Sequence, residues 1–316
     1  MISNEKIPLI VVCGPTASGK TALSIELAKA YNGEVISADS MQIYKGMSIA
    51  TAKPTPEEMQ GVPHHLIDFL EPDVKFSVAD YLPLARKCIE DIYQRGKQPI
   101  ICGGTGLYIS SLLNNVRFEE IKSDPELRAK LEAEYKEQGA HAFWQRLNEI
   151  DPETAQSVHE NNAPRVVRGI EAYMLTGKTL SQLRRESITE ESDYKSCIIG
   201  LTYNDRAVLY DRINRRVDIM LADGLVEECR EVYDKGGLET ACQAIGYKEL
   251  IPYFKGVKPL DECVDLIKQE TRHYAKRQLT WFRRMEGINW FDPSQYEEFE
   301  NFLRNVQKAV AKTIFL

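Results

Sequence analysis

Eight consecutive residues, Gly14, Pro15, Thr16, Ala17, Ser18, Gly19, Lys20 and Thr21, fit the template G-x-x-x-x-G-K-[ST] in full. The chemistry that template serves is the capture of a polyphosphate. Gly14 and Gly19 let backbone N–H groups turn inward on phosphate oxygens, and the helix that follows brings its positive N-terminal end to the same point. Lys20 adds a mobile ammonium for the outer phosphates, and the Thr21 hydroxyl is the expected ligand of a Mg2+ ion. Arg212 and Arg216 lie four apart on a helical pattern starting near Asp205, and two guanidiniums on one face suit a diphosphate. A solvated face explains them as well, unless the fold brings that helix near Lys20.

A phosphoryl-transfer enzyme built on such a loop supplies a second strand ending in Asp. The best candidate strand, Pro99-Ile100-Ile101-Cys102, instead runs into Gly103-Gly104-Thr105-Gly106 and carries no carboxylate. The nearby acid is Asp39, just after the short strand Val35-Ile36-Ser37, whose far end opens on the same sheet edge as the loop. Asp39 is therefore a candidate catalytic base.

The elements that must position these groups read as α/β. Leu9 to Val12 form a buried strand, and Ala22 to Ala28 give the apolar face of a helix that Asn32 and Gly33 end. A helix from Val78 to Arg95 leads into Pro99–Cys102, and another core strand returns at Cys197–Leu201. Between them the texture is charged and helical, with starts at Asp124-Pro125, Asp151-Pro152 and Asn162-Ala163-Pro164. After residue 204 the chain is mainly helical. It ends with a long helix from near Pro259 to about Met285, a last strand at Ile288–Phe291, and an amphipathic helix over Asn301–Leu316. The expected fold is a P-loop NTPase-like parallel sheet flanked by helices, formed by residues 1–116 and 197–316, with an all-helical insertion at 117–196.

The 316 residues, 43% hydrophobic and 28% charged, suit a globular protein, and no apolar run reaches the length of a membrane span. With no signal-peptide core, a cytoplasmic address and a monomeric state are the expectations. Seven scattered cysteines without C-x-x-C spacing argue against disulfides and structural zinc. His64-His65 lacks a third suitably spaced ligand, which favours a structural or RNA-contact role over a metal. The net charge of −7 argues against nonspecific coating of nucleic acid, but basic clusters are present. Arg165 and Arg168 form one, and Arg272, Lys276 and Arg283 form a ridge interleaved with His273, Tyr274, Trp281 and Phe282. An amphipathic helix with inward aromatics explains that ridge about as well.

These residues converge in Ser37-Ala-Asp-Ser-Met-Gln-Ile-Tyr44, Thr51-Ala-Lys-Pro54, Gly61-Val-Pro-His-His-Leu-Ile-Asp68, Gly103-Gly-Thr-Gly-Leu-Tyr108, Gln243-Ala-Ile-Gly-Tyr-Lys-Glu249 and Thr271 to Arg283. Together with the phosphate loop, and in this order over nearly the whole chain, they resemble the bacterial tRNA dimethylallyltransferases, also called tRNA isopentenyltransferases. The resemblance implies transfer of a dimethylallyl group from dimethylallyl diphosphate to N6 of adenosine-37, just 3′ of the anticodon, in tRNAs reading codons that begin with U. It implies that Asp39 is the general base, that Thr105 helps hold the diphosphate bridging oxygen, and that Thr16 to Thr21 cradle the diphosphate. It places tRNA contacts at Asp39, Ser40, Met41 and Gln42, at Thr105 and Arg128, and at Pro164, Arg165, Val166, Val167 and Arg168. Further contacts are implied at Gln243, Ala244, Ile245, Gly246, Tyr247 and Lys248, while the basic ridge adds Arg272 and Lys276 as candidates.

The chemistry agrees with the residues read independently. Adenine N6 is a poor nucleophile, so a carboxylate must accept its proton as the C–N bond forms. The departing diphosphate builds negative charge that Lys20, Mg2+ at Thr21 and the Arg pair can stabilise. No second acid on Mg2+ is required for that. Three alternatives stay open at this point: an isopentenyltransferase acting on free adenylate, a P-loop small-molecule kinase, and a non-catalytic RNA-binding module.

Overall fold

The computed structural model describes residues 6–117, 124–187, 191–235 and 244–315. Two compact units partition the chain, Met1–Leu113 with Ser192–Leu316 as the first and Asn114–Glu191 as the second.

The first unit is built on a six-stranded sheet in the order β3-β2-β4-β1-β5-β6, with every pairing parallel. Its early elements are β1 (Ile7–Cys13), α1 (Lys20–Ala30), β2 (Gly33–Ser37), α2 (Pro56–Met59), β3 (His64–His65), α3 (Val78–Gln94), β4 (Gln98–Gly103) and α4 (Gly106–Leu113). After the second unit come β5 (Tyr194–Leu201), α10 (Arg206–Ala222), α11 (Leu225–Asp234), α12 (Tyr247–Phe254), α13 (Leu260–Phe282), β6 (Ile288–Phe291) and α14 (Phe299–Val310). The strand read at Cys197 thus starts at Tyr194. Leu9 to Cys13 are fully buried because β1 is covered on both faces, and their unbroken apolar run reflects a central parallel strand. One core packs Ile10, Val12, Leu23, Leu27 and Ile199 against Phe302, Val306 and Val310 of α14. A second packs the segment holding Ile43, Tyr44 and Met47 against Val217, Leu225, Leu250 and Ile267 of α10 to α13. The loops leaving β1, β2 and β4 all open at the carboxyl edge of this sheet, the usual ligand edge of a parallel fold.

Among the described residues, no helix is long and apolar enough to cross a membrane. His64 and His65 form the edge strand β3. A His64 ring nitrogen bonds the Val62 carbonyl at 2.9 Å and His65 bonds Glu34 at 2.7 Å, a structural use of both.

Glu34 ties that edge together. Its buried carboxylate accepts from Arg95 at 2.6 and 2.7 Å, from Lys97 at 2.7 Å and from His65. The Arg95 guanidinium holds the carboxyl far below its usual range, Lys97 and His65 add to this, and burial pulls the other way. A folded-state value below the unfolded one means stabilisation present at neutral pH and lost as acid protonates the group. Glu34→Gln should therefore lower the melting temperature near neutral pH, with the gap to wild type closing progressively below the ordinary value of 4.5. Thermal melts across that range check it, and a pH-independent gap would make the role one of packing alone.

Gly103 closes β4 where β2 crosses nearest. A Cβ there would stand 2.2 Å from the Ala38 carbonyl oxygen and 2.8 Å from the Ala38 Cα, backbone atoms that cannot swing aside. Gly103→Ala should cost about 3 kcal/mol, at the upper end for overpacking, and displace the neighbouring Asp39. Denaturant unfolding of the variant measures this.

The second unit contains α5 (Pro125–Gln138), α6 (Ala140–Ile150), α7 (Pro152–Ser157), α8 (Ala163–Thr176) and α9 (Leu180–Ser187). Asp124 caps α5 by accepting N–H bonds from Glu126 and Leu127 at 3.0 Å. Buried Asp151 caps α7 through Thr154 N–H at 3.1 Å and also accepts Ser181 N–H at 3.0 Å, binding α9 to the same carboxylate. Leu131, Phe143, Leu147, Val166, Val167 and Ile170 form a separate core.

Candidate active site

The loop between β1 and α1 is held from several sides. Lys20 Nζ donates to the Pro15 carbonyl at 2.6 Å, Arg212 Nε to the Ala17 carbonyl at 2.9 Å, and Arg216 Nη1 to Thr16 Oγ1 at 3.3 Å. The choice left open by sequence is resolved in favour of proximity, since α10 does bring both arginines to the loop. Burial lowers the Lys20 ammonium to about 8, with Arg216 pulling in the same direction and Asp39 opposing. Burial lowers Arg216 as well. Two partly buried cations meeting at one loop make a place that an anion stabilises, in surroundings where Coulomb interactions are less screened than in water.

Asp39 leaves β2 one residue beyond Ala38, and its Oδ1 accepts Met41 N–H at 2.9 Å, fixing the turn. The loop after β4 is stapled to it: Thr105 N–H donates to the Ala38 carbonyl at 3.1 Å, and Ser40 N–H donates to Thr105 Oγ1 at 3.0 Å. Gln278 of α13 braces both phosphate-edge loops, accepting Thr16 N–H at 2.8 Å and donating to the Gly104 carbonyl at 3.0 Å. A Cβ on Gly104 would lie 2.1 Å from Gln278 Nε2. That side-chain end could swing away, whereas the backbone of Ala38 leaves no room for a side chain at Gly103, the last residue of β4, where a phosphoryl-transfer enzyme would place its acid. Tyr274, one turn before Gln278, has its phenol pushed up by burial, with Asp39 adding and hydrogen bonds from Gln278 and Thr105 opposing.

Thr16, Lys20, Thr21, Asp39, Gln42, Arg216, Tyr274, Arg277 and Gln278 all line one cavity of about 340 Å³. Its other wall is apolar. Ile213, Val217 and Met220 continue the Arg216 face of α10, joined by Leu225, Ile267, Ala50 and Ala52. The segment carrying Ala50 is pinned by Glu228, whose carboxylate accepts N–H bonds from Ser48 and Ile49 at 2.8 Å and Ala50 at 3.1 Å, and the Tyr247 hydroxyl at 2.8 Å. Gln42 holds the next residues, donating to the Thr51 and Ala52 carbonyls at 3.3 and 3.0 Å. A polar end rich in cations and an apolar end therefore share one space, with a carboxylate between the loops.

Of the residues read from sequence, Ser40, Met41, Ala244, Ile245, Gly246 and Lys248 also line the cavity. Gly14, Pro15, Ala17, Ser18 and Gly19 shape the loop, and Thr105 stands behind Ser40. Tyr247 is buried on Glu228, Arg272 donates to Asn214 at 2.8 Å, and Lys276 is exposed. The basic ridge has the right helical period but the cavity takes another face of α13, Thr271, Tyr274 and Gln278, three and four residues apart. Gln243 lies outside the described residues. In the second unit, Pro164 and Arg165 open α8, while Val166 and Val167 are fully buried and leave contacts on that turn to the arginines. Arg128 and Arg168 both pair with Glu171.

A Mg2+ ion fits this donor set in one way. Among the described residues no cluster of three acids, histidines or cysteines could cage a metal. The Thr21 hydroxyl in the cavity suits a hard cation that takes its remaining ligands from phosphate oxygens and water.

Known proteins are similar to this chain over nearly its whole length. A family model described as IPP transferase matches residues 42–285, and one described as isopentenyl transferase matches residues 7–72. The tRNA dimethylallyltransferase of Acetivibrio thermocellus is 48% identical over 307 residues, 96% of this chain and 97% of that protein. That of Bacillus subtilis is 50% identical over 292 residues, 92% of each. Among solved structures, the tRNA isopentenylpyrophosphate transferase of Bacillus halodurans superposes with a TM-score of 0.74 at 44% identity, covering 98% of this chain and 97% of that one. A eukaryotic dimethylallyltransferase, captured acting on tRNA, gives 0.78 at 32% identity, covering 96% of this chain and 78% of that one.

Proposed function

The chain belongs to the IPP transferase family, and from that membership and the cavity we propose that it moves a dimethylallyl group from dimethylallyl diphosphate to N6 of adenosine-37 in tRNA. The observation that carries the proposal is the meeting, in one cavity, of the Lys20 and Arg216 cations with the Asp39 carboxylate, beside a strand end sterically closed to a second acid.

In this reading Lys20, Arg216 and Arg277 hold the diphosphate, and the apolar wall along α10 takes the five-carbon tail. The target base leaves the anticodon-loop stack to enter, which costs less than extruding a paired base. As the N6–C1 bond forms, the C1–oxygen bond breaks, the electron pair leaves with the diphosphate, and the N6 proton passes to the Asp39 carboxylate. Thr105, behind Ser40, orders the turn that carries Asp39. Thr21 would hold a Mg2+ ion, which when bound would supply charge neutralisation to the leaving group.

The test is incubation with dimethylallyl diphosphate, Mg2+ and either unmodified tRNA or free AMP, followed by mass analysis of the nucleosides. One added prenyl group on the adenosine beside the anticodon is the expected product. Preferential prenylation of AMP would overturn the tRNA assignment, and absence of product from both would overturn the reaction.

A further inference from the structure

We infer that Glu171 is a positioning residue for tRNA: its carboxylate holds the guanidiniums of Arg128 and Arg168 together as a receptor for a backbone phosphate. The inference rests on the tRNA reading above.

Glu171 sits on α8 with no exposed surface, and its Oε2 accepts from Arg128 Nη1 at 3.2 Å and from Arg168 Nη1 at 2.8 Å. Its other oxygen, Oε1, is buried without a protein partner. A buried carboxylate stabilises little by itself, because desolvation offsets the Coulombic gain. The packing of α5 on α8 is already supplied by Leu131, Val167 and Ile170. What this acid adds is geometry. Its two partners come from different helices, carry like charge and remain about a third exposed, at 36% and 35%. Each guanidinium has five donors in a planar fork, and Arg128 gives one more to Glu132 at 3.3 Å. The remaining donors of these partly exposed forks can therefore bind a phosphate while one Nη1 of each stays on Glu171.

The two roles open to Glu171 differ in sign. If it only adds negative charge near the RNA, removing it tightens binding. If it aims the arginines, removing it loosens binding although the local charge becomes more positive. The experiment uses the full chain with Glu171→Gln and Glu171→Asp, the latter keeping the charge but drawing the carboxylate back by one methylene. Steady-state kinetics are run against tRNA and against dimethylallyl diphosphate over a range of salt.

Both variants should raise KM for tRNA by roughly tenfold, the scale of a charge-assisted hydrogen bond, with kcat and the donor KM within about twofold of wild type. The dependence of log KM on log salt should become shallower by about 0.7 for one lost phosphate contact. An unchanged or lowered KM for tRNA, or a parallel fall in kcat with either substrate varied, would overturn the inference. If Glu171→Gln fails to fold, Glu171→Asp carries the same test. A wild-type protein that does not prenylate tRNA would defeat the underlying reading instead.

Discussion

Asp39→Asn should fold, bind tRNA and bind dimethylallyl diphosphate, yet turn over at least a hundredfold more slowly, the range expected for loss of a positioned base. The amide oxygen can still accept Met41 N–H, the bond that fixes the turn at 2.9 Å, so the loop keeps its shape. What disappears is a basic acceptor for the N6 proton. The exchange also removes a negative charge from the cavity proposed to receive the diphosphate. Donor affinity should therefore stay constant or improve while kcat falls, a split that unfolding or general loosening would not produce. Single-turnover prenylation with both substrates saturating measures the chemical step directly. A fall of less than about tenfold would assign the base to another group.

The parts of this site legible in sequence are those written locally. The phosphate loop, its flanking strand and helix, and the acid after β2 each occupy one short stretch, where backbone geometry and residue type are set together. The parallel sheet followed from the alternation of such stretches with helical patterns. The apolar wall was not legible, because it assembles residues near 50 with others near 220 and 267. Gln278 and Glu228 went unread for the same reason: their partners lie 262 and 180 residues away along the chain. Nothing local marks a glutamine as a brace or a glutamate as the acceptor of three backbone amides. The α13 ridge is the instructive case. Period alone offers several faces of a helix, and counting charges selected Arg272 and Lys276. The cavity instead receives the uncharged Thr271, Tyr274 and Gln278 at the same spacing, beside Arg277, a cation outside the chosen ridge. A search for polar side chains at three- and four-residue intervals within a basic helix would have found them.

Lys20→Met should lower kcat/KM for dimethylallyl diphosphate by roughly a thousandfold, the upper range for deleting one preorganised donor to a developing anion. The ammonium is partly buried and already turned onto the Pro15 carbonyl, and burial lowers it to about 8, so less water need be stripped from it on binding than from an exposed lysine. Methionine fills a similar volume and leaves Arg216 as a remaining cation, half-buried and tethered to Thr16. Lys20→Arg keeps the charge but should recover little. The slot under the Pro15 carbonyl fits one compact ammonium at 2.6 Å, and a planar fork cannot occupy it without moving the loop. Because Lys20 and Arg216 act on the same diphosphate, combining Lys20→Met with Arg216→Ala should cost less than the sum of the two separate losses. Affinity for tRNA should be unchanged throughout. Donor-dependent kinetics beside a tRNA-binding titration separate these effects, and full additivity would mean that the two cations serve different groups.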